Sequence, residues 1–222
     1  MEALQSELGA ALTGFISGIL LTIPVGPVNL TVLNEGARRG LLVALLISAG
    51  SVVMDMIYCA IAFTGFAALF TGSVMKASME VASFVFMLYL GVRFLTSKAV
   101  QKVSKVEERI ERKLHPHSWF MIGFVRTMGN PGVLLFWIVL AAHFISRGWV
   151  QPTLSSKLSC IAGVGTGTSA WFFVLCWAVS RGHGKFTDKT LLRMEHFSGI
   201  GLLLLALGQG VHIVFQLVNH TL

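Results

Sequence analysis

The sequence predicts an all-α integral membrane protein of six transmembrane helices, arranged as two inverted three-helix repeats, with helices 1 and 4 broken. Three observations carry that prediction. Hydrophobic residues make up 55% of the chain and charged residues only 12%, with a mean hydropathy of +0.76; ordinary soluble chains carry roughly 25% charged residues. The apolar residues gather into runs near the ~20 residues that a helix needs to cross a bilayer. Two of those runs are interrupted in mid-length, by Pro24-Val25-Gly26-Pro27-Val28-Asn29 and by Asn130-Pro131-Gly132.

The predicted spans cover residues 8–33, 41–70, 78–97, 119–146, 158–180 and 197–218. In the first, each proline removes an amide donor and clashes with the carbonyl one turn back, so the helix breaks. Hydrocarbon offers a freed carbonyl no water. Such a break survives only where protein buries it or where it lines a hydrated cavity. The second and fourth runs are long, which implies tilt or overrun of the bilayer. The third and sixth share Leu88-Tyr89-Leu90-Gly91 and Leu205-Ala206-Leu207-Gly208. The fifth carries Gly163-x-Gly165-x-Gly167, which has no preceding strand and so reads as close helix packing rather than a phosphate loop.

The connection at 98–118 is rich in Lys, Arg and Glu and divides the single membrane domain, 1–222, into a first repeat at 1–97 and a second at 119–222. Three spans per half force the second half to be inverted. Internal echoes agree with that division. Gly14-Phe15 and Gly123-Phe124 each precede a break, and Gly50 and Cys59 share their spacing with Gly167 and Cys176.

The formal charge of +7 is topological rather than a sign of nucleic-acid binding. Thirteen basic residues follow spans one, three and five: Arg38 and Arg39, seven from Arg93 to Lys113, then Arg181, Lys185, Lys189 and Arg193. The opposite side has Lys76, Arg147 and Lys157. The positive-inside rule then places both termini outside the cytoplasm. Glu2 and Glu7, with no basic residue before the first span, do not read as a cleaved signal peptide.

Both breaks fall near mid-membrane, and Asp55 lies at the same depth in span two. An ionisable group there costs about 2.5–3.5 kcal/mol on insertion scales and is functional by default. A carboxyl that takes up and releases a proton is what a proton-coupled exporter needs. Discontinuous helices are also where secondary carriers place substrate sites. The candidate substrate-binding residues are therefore Pro24, Gly26, Pro27, Asn29, Arg126, Asn130 and Pro131, with Asp55 for proton coupling. Arg126 has three readings: a substrate carboxylate's partner, a partner of Asp55, or a snorkelling side chain. Glu35 near Arg38 and Arg39 reads as a surface ion pair, His143 and His212 as packed or interfacial histidines, and Tyr58 as packing. Cys59, Cys160 and Cys176 are scattered in apolar segments and supply neither a disulfide framework nor metal-ligand spacing. No cofactor, metal site or nucleophile–base pair is expected.

The chain resembles the lysine-exporter translocator family, which includes lysine/arginine and homoserine/threonine efflux carriers. The resemblance rests on Pro24-Val25-Gly26-Pro27-Val28-Asn29 followed by Gly36-Ala37-Arg38-Arg39-Gly40, and on Gly50-Ser51-Val52-Val53-Met54-Asp55. Tyr89-Leu90-Gly91 and Gly123-Phe124 leading into Asn130-Pro131 complete it. Where many members have a lysine after asparagine-proline, this chain has Gly132. The resemblance implies export of amino acids or similar small solutes across the bacterial inner membrane by proton antiport, with a homodimer as an open option. Two other classes stay open on the sequence. One is an ion or metal-cation conduit built on the same breaks, and the other a membrane enzyme or assembly subunit.

Overall fold

The computed structural model describes residues 2–23, 26–65, 73–98, 109–110, 113–114, 118–180 and 188–218. Among the described residues the main elements are eight helices, and there is no strand: α1 (Glu2–Thr22), α2 (Pro27–Arg39), α3 (Leu41–Gly65), α4 (Ser73–Leu95), α5 (Trp119–Met128), α6 (Pro131–Ser146), α7 (Leu154–Ser180) and α8 (Asp188–Val218). Three segments are long and apolar enough to cross a membrane alone: Leu41–Thr64, Leu154–Ser180 and Leu192–Phe215. Two further spans arise if α1 is joined to α2 and α5 to α6, pairs bent by 73° and 66°. The described residues are thus all-α with up to five such spans, as in a multi-pass membrane protein. α4 is a further helix of 23 residues, about 34 Å at 1.5 Å per residue. Most of the charged stretch 98–118 lies outside the described residues, as does Pro24; within it Arg109 and Lys113 are exposed.

The two bends arise where the sequence predicts them. Pro27 and Pro131 each occupy the first turn of the second helix of a pair, where a missing N–H costs nothing and a fixed φ favours helix. Threonine hydroxyls near both breaks bond back one turn: Thr22 to Gly18 O at 2.6 Å, Thr31 to Pro27 O at 2.7 Å and Thr127 to Gly123 O at 3.0 Å. Such bonds keep polar groups satisfied inside the helix itself. Each pair then leaves by a tight turn through a glycine with positive φ, Gly40 at 90° and Gly148 at 69°, a conformation that residues with a Cβ rarely adopt.

Packing is organised by glycines at helix crossings. α1 lies against α7 so closely that a Cβ on Gly14 would overlap the carbonyl of Cys160, and one on Gly163 the carbonyl of Ala11. α5 lies against α3 in the same way. A Cβ on Gly123 would overlap the carbonyl of Ile47, and one on Gly50 that of Phe120. Each crossing therefore uses a carbonyl and a glycine three residues later on both helices. On α1 and α7 the pattern recurs one turn on, where a Cβ on Gly167 would overlap the carbonyl of Phe15 and one on Gly18 would lie 2.7 Å from that of Val164, so Gly163 and Gly167 both match Gly50. α4 and α8 meet at Gly91 and Gly199, where a Cβ on either would lie within 3.2 or 2.9 Å of the other's carbonyl oxygen. In lipid, close approach of backbones is a main source of helix association.

The core between the crossings is apolar and aromatic. Trp137, Leu140 and Phe144 of α6 pack with Phe63 of α3, Met87 of α4 and Ala206 of α8. A second cluster joins Val32 of α2, Ile47 of α3 and Phe172 of α7. Cys59, Cys160 and Cys176 are buried free thiols. Large apolar side chains such as Leu204, Phe215 and Val211 project outward, each more than 60% exposed, as lipid-facing surfaces do.

Candidate functional site

A cavity of about 80 Å³ lies where the two breaks come together. The end of α1 contributes Leu21 and Thr22, and the start of α2 contributes Gly26, Pro27, Val28 and Asn29. α3 adds Ser51 and Asp55, one turn apart on one helical face. The α5–α6 break supplies Thr127, Asn130 and Val133, and α7 supplies Phe172. Five of the sequence-predicted residues thus meet at one place: Gly26, Pro27, Asn29, Asp55 and Asn130.

The other three do not join them. Pro131 sits beside Asn130 but is exposed and does not line the cavity. Pro24 lies outside the described residues. Arg126 immediately precedes Thr127, yet its guanidinium donates to the hydroxyl of Thr31 on α2. This contact joins α5 to α2, a role outside its three sequence readings.

The polar groups freed by the breaks are handled unequally. The carbonyl of Thr22 at the end of α1 accepts from Asn29 Nδ2 at 2.8 Å, so a side chain of α2 closes the gap. At the other break the Tyr58 hydroxyl donates to the carbonyl of Met128 at 2.6 Å. Tyr58 therefore does more than pack. Asn130 caps α6, its Oδ1 accepting from the N–H of Gly132 at 3.0 Å. Gly26, the capping residue of α2, has no side chain, and no side-chain cap is formed there. The start of α2, from Gly26 to Asn29, thus lines the cavity with the positive end of its dipole.

Asp55 is 5% exposed. Its carboxylate accepts from the indole N–H of Trp137, a fully buried α6 residue, at 3.3 Å. Among the described residues it is the only ionisable side chain that lines the cavity. Beside it Ser51 Oγ and Thr127 Oγ1 are 2.7 Å apart and hydrogen-bonded, joining α3 to α5. The walls are apolar, formed by Leu21, Val133 and Phe172. The site therefore brings one carboxylate, the first turn of α2 and two hydroxyls together within apolar surroundings.

Sequence reasoning missed Thr22, Ser51, Thr127, Phe172 and Trp137. Ser51 was recoverable, since it lies one turn from Asp55 on the same helix. Nothing marks Phe172 among the aromatics of an apolar span. The surface reading of Glu35 is met by an ion pair to Arg39 at 2.9 Å, with the Arg39 guanidinium also stacked 4.8 Å from the Trp119 ring. His143 is packed, 1% exposed and edge-on to Trp149.

No solved structure matches the chain. A curated Bacillus subtilis (strain 168) protein named "Putative amino acid efflux protein YcgF" is 23% identical over 208 residues, covering 94% of this chain and 98% of that protein. The model of the LysE type translocator family matches residues 19–213, a stretch that takes in both breaks, Asp55 and every residue lining the cavity. The chain belongs to the LysE-type translocator family.

Proposed function

We propose that this protein is a secondary active carrier of the bacterial inner membrane, exporting amino acids or related small solutes from the cytoplasm in exchange for protons. The observation that carries this reading is the convergence of two helix breaks and one buried carboxylate on a single central cavity. Membership of a translocator family supports transport as the activity, and the relative from Bacillus subtilis supports amino acids as cargo. Pro24, Gly26, Pro27, Asn29, Asn130 and Pro131 form the cargo site through the geometry they impose, with Arg126 holding α5 to α2. Asp55 is the proton-coupling group, because among the described residues its buried carboxylate meets the neutral indole of Trp137 and no cation.

Alternating access follows from two halves rocking about this cavity. The matched α1–α7 and α3–α5 crossings are what two inverted repeats, 1–97 and 119–222, joined by a cytoplasmic connection at 98–118, would produce. The thirteen basic residues after alternate spans favour both termini outside the cytoplasm. Proteoliposomes with an imposed pH gradient test the coupling. Asp55→Asn is expected to lose proton-driven uphill transport, and an Asp55→Asn carrier that runs at the wild-type rate sinks the assignment. Replacing Pro24 and Pro27 together by alanine is expected to abolish flux by restoring a continuous helix; undiminished flux would remove the break from the site.

A further inference from the structure

A second group of buried polar side chains lies away from the cavity, where α4, α6 and α8 meet. Glu80 stands in the first half of α4, His143 in the last turn of α6 and Gln209 in the last third of α8. They are 4%, 1% and 1% exposed. Gln209 Nε2 donates to the main-chain carbonyl of Glu80 at 2.8 Å, and its amide also stands beside the His143 ring. We infer that Glu80, His143 and Gln209 form a second proton-binding site, set between Asp55 and the outer face, where the proton that drives export is first taken up. The inference rests on the proton-coupled reading above and adds a second station to it.

The argument begins with unmet hydrogen-bonding capacity. Glu80 Oε1, Gln209 Oε1 and His143 Nδ1 are all buried without a hydrogen-bond partner among the described residues. The Gln209 oxygen is an acceptor, and the carboxyl and the imidazole change between acceptor and donor as they take up a proton. Buried polar atoms are satisfied in the large majority of cases, so three at one helix junction need a cause. A proton is the ligand this set lacks. Bound at Glu80 or His143, it turns an acceptor into an O–H or N–H donor beside other acceptors. Neither residue forms an ion pair among the described residues, so either changes charge without breaking one.

The surroundings suit reversible uptake. The charged or titratable groups around His143 are Arg147 at the end of its own helix and His212 on α8, with Glu80 on α4 reached through Gln209. The Arg147 guanidinium donates to the carbonyl of Gly208 at 3.0 Å, which holds a fixed cation near the imidazole and favours release of its proton. On α3, which also packs on α6, Asp55 and Tyr58 are bound to Trp137 and the Met128 carbonyl. Position follows from α6. His143 lies about 9 Å of axial rise beyond Trp137, the partner of Asp55, toward the end of the helix that faces outward in the proposed orientation. Leu140 and Ala141 are buried between the two stations. That apolar gap keeps protons from leaking past Asp55 without cargo.

Trp149 provides a reporter, since its ring stands edge-on to His143 with centroids 5.2 Å apart. A protonated imidazole quenches the fluorescence of an adjacent indole. The test uses purified full-length protein titrated with acid, with Trp149→Phe subtracted to isolate the Trp149 signal. The wild type is expected to show a quenching transition that His143→Gln loses, that Glu80→Gln moves to lower pH and that Asp55→Asn retains. His143→Asn, with an amide near the position of Nδ1, covers the case in which His143→Gln fails to fold. In proteoliposomes, Glu80→Gln and the folded His143 variant are expected to slow transport driven by an outside-acid gradient several-fold. No transition in the wild type, or an unaltered one in the His143 variant, overturns the site. A transition at His143 with gradient-driven transport at the wild-type rate in both variants overturns the uptake role. A wild type that titrates at His143 yet transports nothing under a pH gradient sinks the carrier reading and the uptake role together, and leaves the proton-binding site standing.

Discussion

The α1–α7 and α3–α5 crossings are built alike, yet the chain breaks beside them are finished differently. Ala11 and Gly14 meet Cys160 and Gly163 as Phe120 and Gly123 meet Ile47 and Gly50. After the second break Asn130 caps the next helix with its own side chain. After the first, Gly26 has no side chain with which to cap the helix, and Asn29 turns back to the carbonyl of Thr22. Counted from Gly50, Asp55 on α3 matches Thr168 on α7 if Gly163 is the counterpart and Phe172 if Gly167 is. Both are buried, and neither is ionisable. The two crossings share a backbone pattern and differ in the side chains they carry.

The comparison can be broken most forcefully at the crossings. Gly14→Leu and Gly123→Leu each place side-chain atoms where a backbone carbonyl lies, and each is expected to cost at least about 3 kcal/mol, at the upper end of overpacking effects. Thermal unfolding in detergent checks this, and near-equal losses at the two positions would sharpen the equivalence of the crossings. Asn29→Ala comes next. It leaves the Thr22 carbonyl without its side-chain partner in an apolar setting, an expected loss of about 1–3 kcal/mol, together with a fall in transport. Asn130→Ala removes a helix cap, for which about 1 kcal/mol is typical; a larger loss than that of Asn29→Ala would contradict the contrast between the breaks. The smallest effect is expected at Gly9, where a Cβ meets nothing within 4 Å. Gly9→Ala on α1 is expected to be neutral or to stabilise by up to about 1 kcal/mol through helix propensity, the opposite sign to Gly14→Leu five residues away.

These contrasts also mark how much of the molecule was legible in sequence. Prolines are legible because their effect on a helix is local, so Pro27 and Pro131 place the starts of α2 and α6 correctly. Asp55 is legible because a carboxyl in a membrane-length apolar run is costly wherever it points. Gly14 and Gly123 were visible as a repeated pair, although their purpose, close passage of a neighbouring backbone, became visible only in three dimensions. Phe172 and Val133 were not legible. In lipid the outward face of a helix is as apolar as the inward one, so periodicity does not tell a pocket wall from a lipid contact. Gly163-x-Gly165-x-Gly167 shows a related ambiguity: sequence spacing pairs Gly167 with Gly50, and the packing presents both Gly163 and Gly167 to carbonyls of α1, those of Ala11 and Phe15. Arg126 was legible as a cation within an apolar run, but its direction depended on Thr31 from a helix on the far side of the other break.

Asp55's standing as the one ionisable group among the described lining residues has an electrical consequence. On the proposed scheme Asp55 is deprotonated when cargo leaves and protonated on the return, so each outward passage of cargo is matched by the inward return of one proton. A cargo of zero net charge leaves that proton as the only net charge crossing the membrane. The cycle is then electrogenic, and an interior-negative voltage drives export alongside the pH gradient. At about 2.3 kcal/mol per 100 mV and 1.36 kcal/mol per pH unit, 100 mV contributes about as much as 1.7 pH units. A carrier of this design can keep exporting when the inside and outside of the cell stand at the same pH.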